Sequence, residues 1–320
     1  MKRLLFFFIL CLAGVTNASA QYDAQISQYF LAMGYYNPAF AGGYRELNVF
    51  GLHRQQWVGM PGAPQTSFIL IDMPYALGKI HTGIGLTLHT ETIGLFSNST
   101  LGGQFAWKRD FLGGTLSVGV QIGLVSVAFD GSKVDFGDLK EQESGNDAAA
   151  SQDEAIPQAE VNGMALDLNA GIYFTHRKFY MGFASSHILE PQMELEENIS
   201  TYIGRAFNLT AGYNIQLKNS LLELQPSVFM KTDLQSFQMD VTARAVYNKM
   251  FSGGISWRGY EAVVMLGASF ANIEVGYAYD FPTGALLKAG SGSHELTLRY
   301  KVKLNKAKTG DYRHKSVRIL

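Results

Sequence analysis

From Glu295 to Leu304 the chain alternates without a break. Leu296, Leu298, Tyr300, Val302 and Leu304 share one side, while Glu295, Thr297, Arg299, Lys301 and Lys303 share the other. Period two is the signature of a β-strand with one apolar and one charged face. A sandwich strand with its charges in water fits this pattern, and so does a transmembrane strand with its apolar row in lipid and its charges in a wet lumen. Slipping the register by one residue would turn Arg299, Lys301 and Lys303 to the apolar side, at roughly 2–4 kcal/mol each near a bilayer midplane. By the same reasoning a charge at Leu298 is expected to be costly, and one at Thr297 to be tolerated.

Composition leans towards lipid. Charged residues are 17% of the chain, against about 25% in typical soluble domains. The chain also carries 34 Gly, 21 Phe and 16 Tyr. A net charge of −1 gives no electrostatic reason to expect nucleic acid. Residues 1–20 read as a signal peptide, with Lys2 and Arg3, an apolar run and Ala18-Ser19-Ala20. Maturation at Gln21 would remove the single cysteine, Cys11, excluding disulfides and thiolate chemistry.

The segment Phe111–Phe129 holds no charge and is long enough to span a bilayer as a helix. However, Leu116, Val118, Val120, Ile122 and Leu124 alternate with small or polar residues, so it reads as a strand. The same reading gives about fourteen strands between 46 and 304. They begin at Glu46, Gln65, Ile80, Thr100, Gly113, Asn162, Lys178, Ile203, Leu221, Phe237, Met250, Tyr260, Asn272 and Ser293. Most have the 9–11 or so residues that a tilted membrane strand needs. Long gaps (Gln55–Pro64, Glu91–Ser99, Phe129–Val161, His187–Tyr202, Thr232–Ser236, Pro282–Gly292) alternate with short ones, broken only at Gly259. This is the loop pattern of an outer-membrane barrel.

The expected architecture is therefore all-β: a transmembrane antiparallel outer-membrane β-barrel over 46–304, its long loops external. Residues 21–45 form a periplasmic or plug segment, and 305–320 a basic periplasmic tail. Both termini are expected at the short-turn end. The acidic loop 129–161 reads as a solvated, mobile loop, with cargo contact, or calcium through Asp130, Asp135 and Asp138 despite spacing unlike an EF-hand, as the alternatives. Glu190–Asn198 is read as a short loop helix. Trp57, Trp107 and Trp257 are assigned to an interfacial girdle.

No enzyme is legible. The seven histidines make no zinc spacing, and His81 and His89 are too far apart on one strand face to chelate together. Ser293 and His294 are adjacent, so they face opposite sides of a strand and cannot act as nucleophile and base. No cofactor or metal is expected.

Three stretches resemble the PorP/SprF family of type IX secretion system membrane proteins. The first holds Ser27, Gln28 and Tyr29 followed by Asn37, Pro38, Ala39 and Gly42. In the second, Arg54, Gln56, Trp57 and Gly59 lead to Gly62, Ala63, Pro64 and Thr66. The third joins Tyr279 and Asp280 to Gly292, Ser293, His294 and Glu295. The resemblance implies an outer-membrane component that supports secretion or surface attachment of exported proteins, gliding adhesins among them. It implies partners among secreted cargo and periplasmic or peptidoglycan-associated components, within outer-membrane lipid. Read as residues alone, Asn-Pro and Gly-Ala-Pro are turn formers. A diffusion porin and a barrel hydrolase acting on lipid are the alternatives.

Overall fold

The computed structural model describes residues 23–304 except 45, 79, 135–156, 158, 197–198, 218–220, 260 and 284–289. The segment read as a signal peptide, most of the acidic loop with Asp135 and Asp138, and the basic tail lie outside the described residues.

The first half of the wall comprises β1 (Leu47–Gln55), β2 (Gln65–Leu77), β3 (Ile80–Ile93), β4 (Phe96–Phe111), β5 (Gly114–Asp130), β6 (Glu160–Thr175) and β7 (Phe179–Ser186). A hairpin follows, β8 (Gln192–Glu196) with β9 (Ile199–Tyr202). The wall resumes with β10 (Ala206–Tyr213) and the short β11 (Ile215–Gln216). It is completed by β12 (Leu222–Thr232), β13 (Phe237–Tyr247), β14 (Phe251–Arg258), β15 (Glu261–Phe270), β16 (Ile273–Pro282) and β17 (Ser293–Val302). Neighbours pair antiparallel throughout, β10 joins β12, and β17 joins β1. The result is a closed barrel of 14 strands, as the strand lengths led us to expect.

Alternation fixes the two surfaces. On β17, Leu296, Leu298 and Tyr300 are about half exposed and point outward, while Glu295, Thr297 and Arg299 are buried. The outward rows of β2 to β7 carry Ile69, Ile71, Leu86, Leu88, Phe105, Val120, Ile122, Ile172 and Phe183, all exposed. Such a continuous apolar band is what hydrocarbon covers.

The inward face is covered by protein. Residues 24–44 run through the lumen, entering where the long loops gather and leaving at the short-turn end into β1. Asp23 meets His187 and Lys231 at the long-loop end, so the described chain does not start beside the C-terminal strand end as expected. Ile26, Tyr29, Leu31, Met33 and Tyr36 pack on the inward Phe50, Leu52, Phe68, Leu70, Tyr173 and Phe229, forming one buried apolar cluster. Thr297, only 1% exposed, therefore faces packed protein, and an arginine there would meet no water.

Three local expectations are corrected. Glu190–Asn198 supplies strand β8, not a helix, because Met193 and Leu195 alternate inward. Met193 packs with Ile203 on Val125 and Val127, folding the hairpin over the inner wall of β5 and β6. The gap Glu91–Ser99 closes to Gly94-Leu95, with φ 59° at Gly94. The strand expected at Ile203–Leu217 breaks at Asn214, whose N–H instead reaches the Lys178 carbonyl.

Candidate functional site: the latch on the luminal segment

The site begins with a cross-strand pair. Arg54 on β1 lies directly opposite Glu295 on β17, and Asp280 on β16 opposite Ser293. Period two turns all three charged side chains inward. Arg54 Nη2 donates to Asp280 Oδ2 at 2.7 Å, and Nη1 lies 3.4 Å from Glu295 Oε2. Arg258, the last residue of β14, donates to Asp240 at 2.8–3.0 Å, to Asp280 at 3.0 Å and to Glu261 at 3.1 Å. Arg54, Asp240, Asp280 and Glu295 have no solvent exposure.

The luminal segment supplies the centre. Ser27 Oγ donates to the Asp280 carboxylate at 2.7–2.8 Å and accepts from Arg54 at 2.9 Å and Arg258 at 3.2 Å. The Glu295 carboxylate accepts the N–H of Ser27 at 2.6 Å and of Gln28 at 2.8 Å. Buried charges survive when paired and hydrogen-bonded, and here the segment's own backbone supplies two of the donors to Glu295. Below it, Tyr29 stacks on Phe229 at 5.2 Å, and its hydroxyl lies 2.8 Å from Ser227 Oγ.

A second grip lies deeper. Asn37 caps the 3₁₀ turn Pro38–Phe40 by accepting from Ala39 N–H at 3.0 Å, and its amide donates to the carbonyls of Ile172 and Phe183. The backbone approaches the wall so closely that side chains are excluded there. A Cβ on Gly119 would stand 2.4 Å from Ala39, and one on Gly83 only 1.9 Å from the Ala41 carbonyl. Gly42, at φ 62°, donates its N–H to Asp72 at 2.7 Å.

The second motif stretch forms a rim above the latch. Gln56 N–H bonds the Pro64 carbonyl, and Val58 pairs in both directions with Ser291 and Gly292. Gly59, Gly62 and Gly292 all have positive φ, which suits glycine. Trp57 is not part of a girdle. It sits half-buried at the rim, its indole N–H directed at Glu261 and its backbone N–H at Ser293 Oγ. Trp107 and Trp257 do face outward. Ala63 closes the turn through Met60, and buried Thr66 donates to Glu91 at 3.3 Å.

Of the motif residues, Ser27, Gln28, Arg54, Asp280 and Glu295 meet in the latch. Asn37, Pro38, Ala39 and Gly42 form the deep grip. Tyr279 and His294 face outward together, their rings 5.0 Å apart, while Ser293 points inward, so no nucleophile–base pair forms. Sequence reasoning missed Asp240, Arg258 and Glu261. The signal for the first two was a charge on the inward parity of its strand. It also missed a third anchor, where His187 bridges Asp23 and Asp167 at 3.0 Å each. No cluster of His, Cys, Asp and Glu able to hold a metal ion occurs among the described residues. Asp130, a candidate calcium ligand, pairs with Lys133 at 2.6 Å.

Solved structures similar to this chain are outer-membrane barrels. An outer membrane protein of Acinetobacter baumannii is 8% identical over 81% of this chain and 99% of its own, with a TM-score of 0.46. The Ralstonia pickettii toluene transporter TbuX is 11% identical over 84% and 92%, at 0.45. Outer membrane phospholipase A of Escherichia coli is 9% identical over 81% and 91%, at 0.37. No curated protein matches the chain. The family model for the type IX secretion system membrane protein PorP/SprF matches residues 18–300. A closed barrel in the outer membrane that matches the family model over residues 18–300, this chain belongs to the PorP/SprF family of type IX secretion system membrane proteins.

Proposed function

We propose that this barrel is a non-enzymatic docking platform that holds specific exported proteins, such as gliding adhesins, for type IX secretion or surface attachment. The family is a secretion-system membrane component and not an enzyme family. One observation carries the reading: residues 24–44 fill the lumen with an apolar core and a charged latch. Two cavities among the described residues have volumes of about 50 and 10 Å³, room for a few waters. That disfavours the porin alternative and leaves the loops as the working surface.

Deleting the gene is expected to leave an exported protein missing from the cell surface while small-solute uptake is unchanged. Shortening the loop at 138–158 should weaken cargo retention with the barrel intact. A normal surface proteome together with reduced solute permeability would overturn the reading in favour of a porin.

A further inference from the structure

At the short-turn end of β4 to β7 the outer wall carries aromatic rings beside a group of cations. Phe111 meets Phe174 edge-on at 6.5 Å, Phe174 meets Phe179 at 5.7 Å, and Phe179 meets His176 at 5.1 Å. Gly114 makes room for this row, since a Cβ there would stand 2.7 Å from the Phe174 ring. Leu112, at the tip of the β4–β5 turn, is 80% exposed. Arg109 shares the outward parity of Trp107 and Phe111, and Arg177 and Lys178 form the neighbouring β6–β7 turn; all three cations are exposed. The one acid in these two turns, Asp110, falls on the lumen parity of β4.

We propose that this patch is a binding site for an anionic phospholipid, with the headgroup phosphate among Arg109, Arg177 and Lys178 and an acyl chain along the Phe111–Phe174–Phe179 row. Two arguments select a lipid. The rings continue the outward rows of Val118, Ile172 and Met181, which are exposed on the bilayer-crossing wall. The cations sit where those apolar rows end, the height at which headgroups meet hydrocarbon. An acidic protein could neutralise the cations but would leave the aromatic row uncovered. Arginine's fork also suits phosphate geometry.

The test is native mass spectrometry of the full-length protein with phosphatidylglycerol or phosphatidylcholine added. Phosphatidylglycerol should be retained preferentially. Attraction of a cation near an anionic surface implies roughly fivefold in affinity for each one. The preference should therefore fall at least tenfold or so in Arg109→Gln/Arg177→Gln/Lys178→Gln. It should survive in Lys249→Gln/Lys303→Gln, whose cations lie in the distant β13–β14 turn and just past the end of β17. Arg177→Gln alone, confined to a turn, guards against misfolding of the triple variant and should lower the preference by roughly fivefold. Three results would overturn the proposal: equal retention of the two lipids, an undiminished preference in the triple and single variants, or displacement of phosphatidylglycerol by free inorganic phosphate.

Discussion

The luminal segment is gripped twice, by opposite physical means. At Ser27–Gln28 the wall offers charge: Arg54, Arg258, Asp280 and Glu295 converge on one hydroxyl and two backbone N–H groups. At Asn37–Gly42 it offers absence: Gly83 and Gly119 let backbone lie against backbone, and Gly171 and Gly182 leave room for the Asn37 side chain. Charge fixes direction and register, since a carboxylate satisfied by particular N–H groups leaves an expensive vacancy when they move. Glycine fixes depth, because only the trace without a Cβ can approach so far. A segment held by both has one seat in the barrel.

The largest expected effect comes from the glycine side. In Gly83→Val or Gly119→Leu the new side chain meets backbone, which cannot give way as a flexible side chain would. The segment should leave its seat, and planar-bilayer recordings should turn from silent to conducting. A folded, silent Gly119→Leu barrel would show that steric fit does not set depth.

On the charged side, Arg54→Ala leaves Asp280 and Glu295 buried without their main partner. The loss should be about 3–5 kcal/mol, read from urea unfolding by heat-modifiable electrophoresis. A loss below about 1 kcal/mol, as for an exposed pair, would mean the latch is hydrated and the contrast with the glycine side false.

The next pair asks whether the lumen is dry. Leu298→Arg puts a charge among lipid-facing side chains, at roughly 2–4 kcal/mol near the midplane. Thr297→Arg should damage assembly as well, since Thr297 is 1% exposed and packed beneath the segment. Near-normal assembly of Thr297→Arg would point to a water-filled interior.

The smallest effect is a pH dependence at the third anchor. Burial would lower the His187 pKa, but nearby Asp23, its hydrogen bond to the imidazole and the Asp167 carboxylate at 3.0 Å raise it from 6.5 to about 10. Burial likewise opposes ionisation of Asp23, yet His187 and Lys231 bring it from 3.8 down to about 2. The imidazolium's contribution is complete below about pH 6.5 and is lost as pH rises through about 10. That of Asp23 holds above 3.8 and is lost as pH falls through about 2. Thermal midpoints should therefore decline between pH 6.5 and 10, and His187→Gln should flatten the decline. An identical decline in the variant would assign it elsewhere.

Much of the barrel was legible from the residues. Strand alternation is enforced twice over, by the pleat and by the cost of charge in hydrocarbon, so Leu296, Leu298 and Tyr300 could only face out. The motif residues were visible as well, but as turn formers and loop pieces. Nothing near Ser27 in the chain reveals that its partner Glu295 lies 268 positions away.

Alternation by itself determined which side chains point inward; only the tertiary structure decided what they meet there. A polar inward row of Asn48, Arg54, Asp72, Asp240, Thr242 and Arg258 is equally compatible with water and with a folded segment, because both satisfy hydrogen bonds. The choice fell to closure of the barrel. Joining β17 to β1 brings Arg54, Asp280 and Glu295 around one point, where the luminal segment donates to the two carboxylates and accepts from Arg54 in fixed geometry.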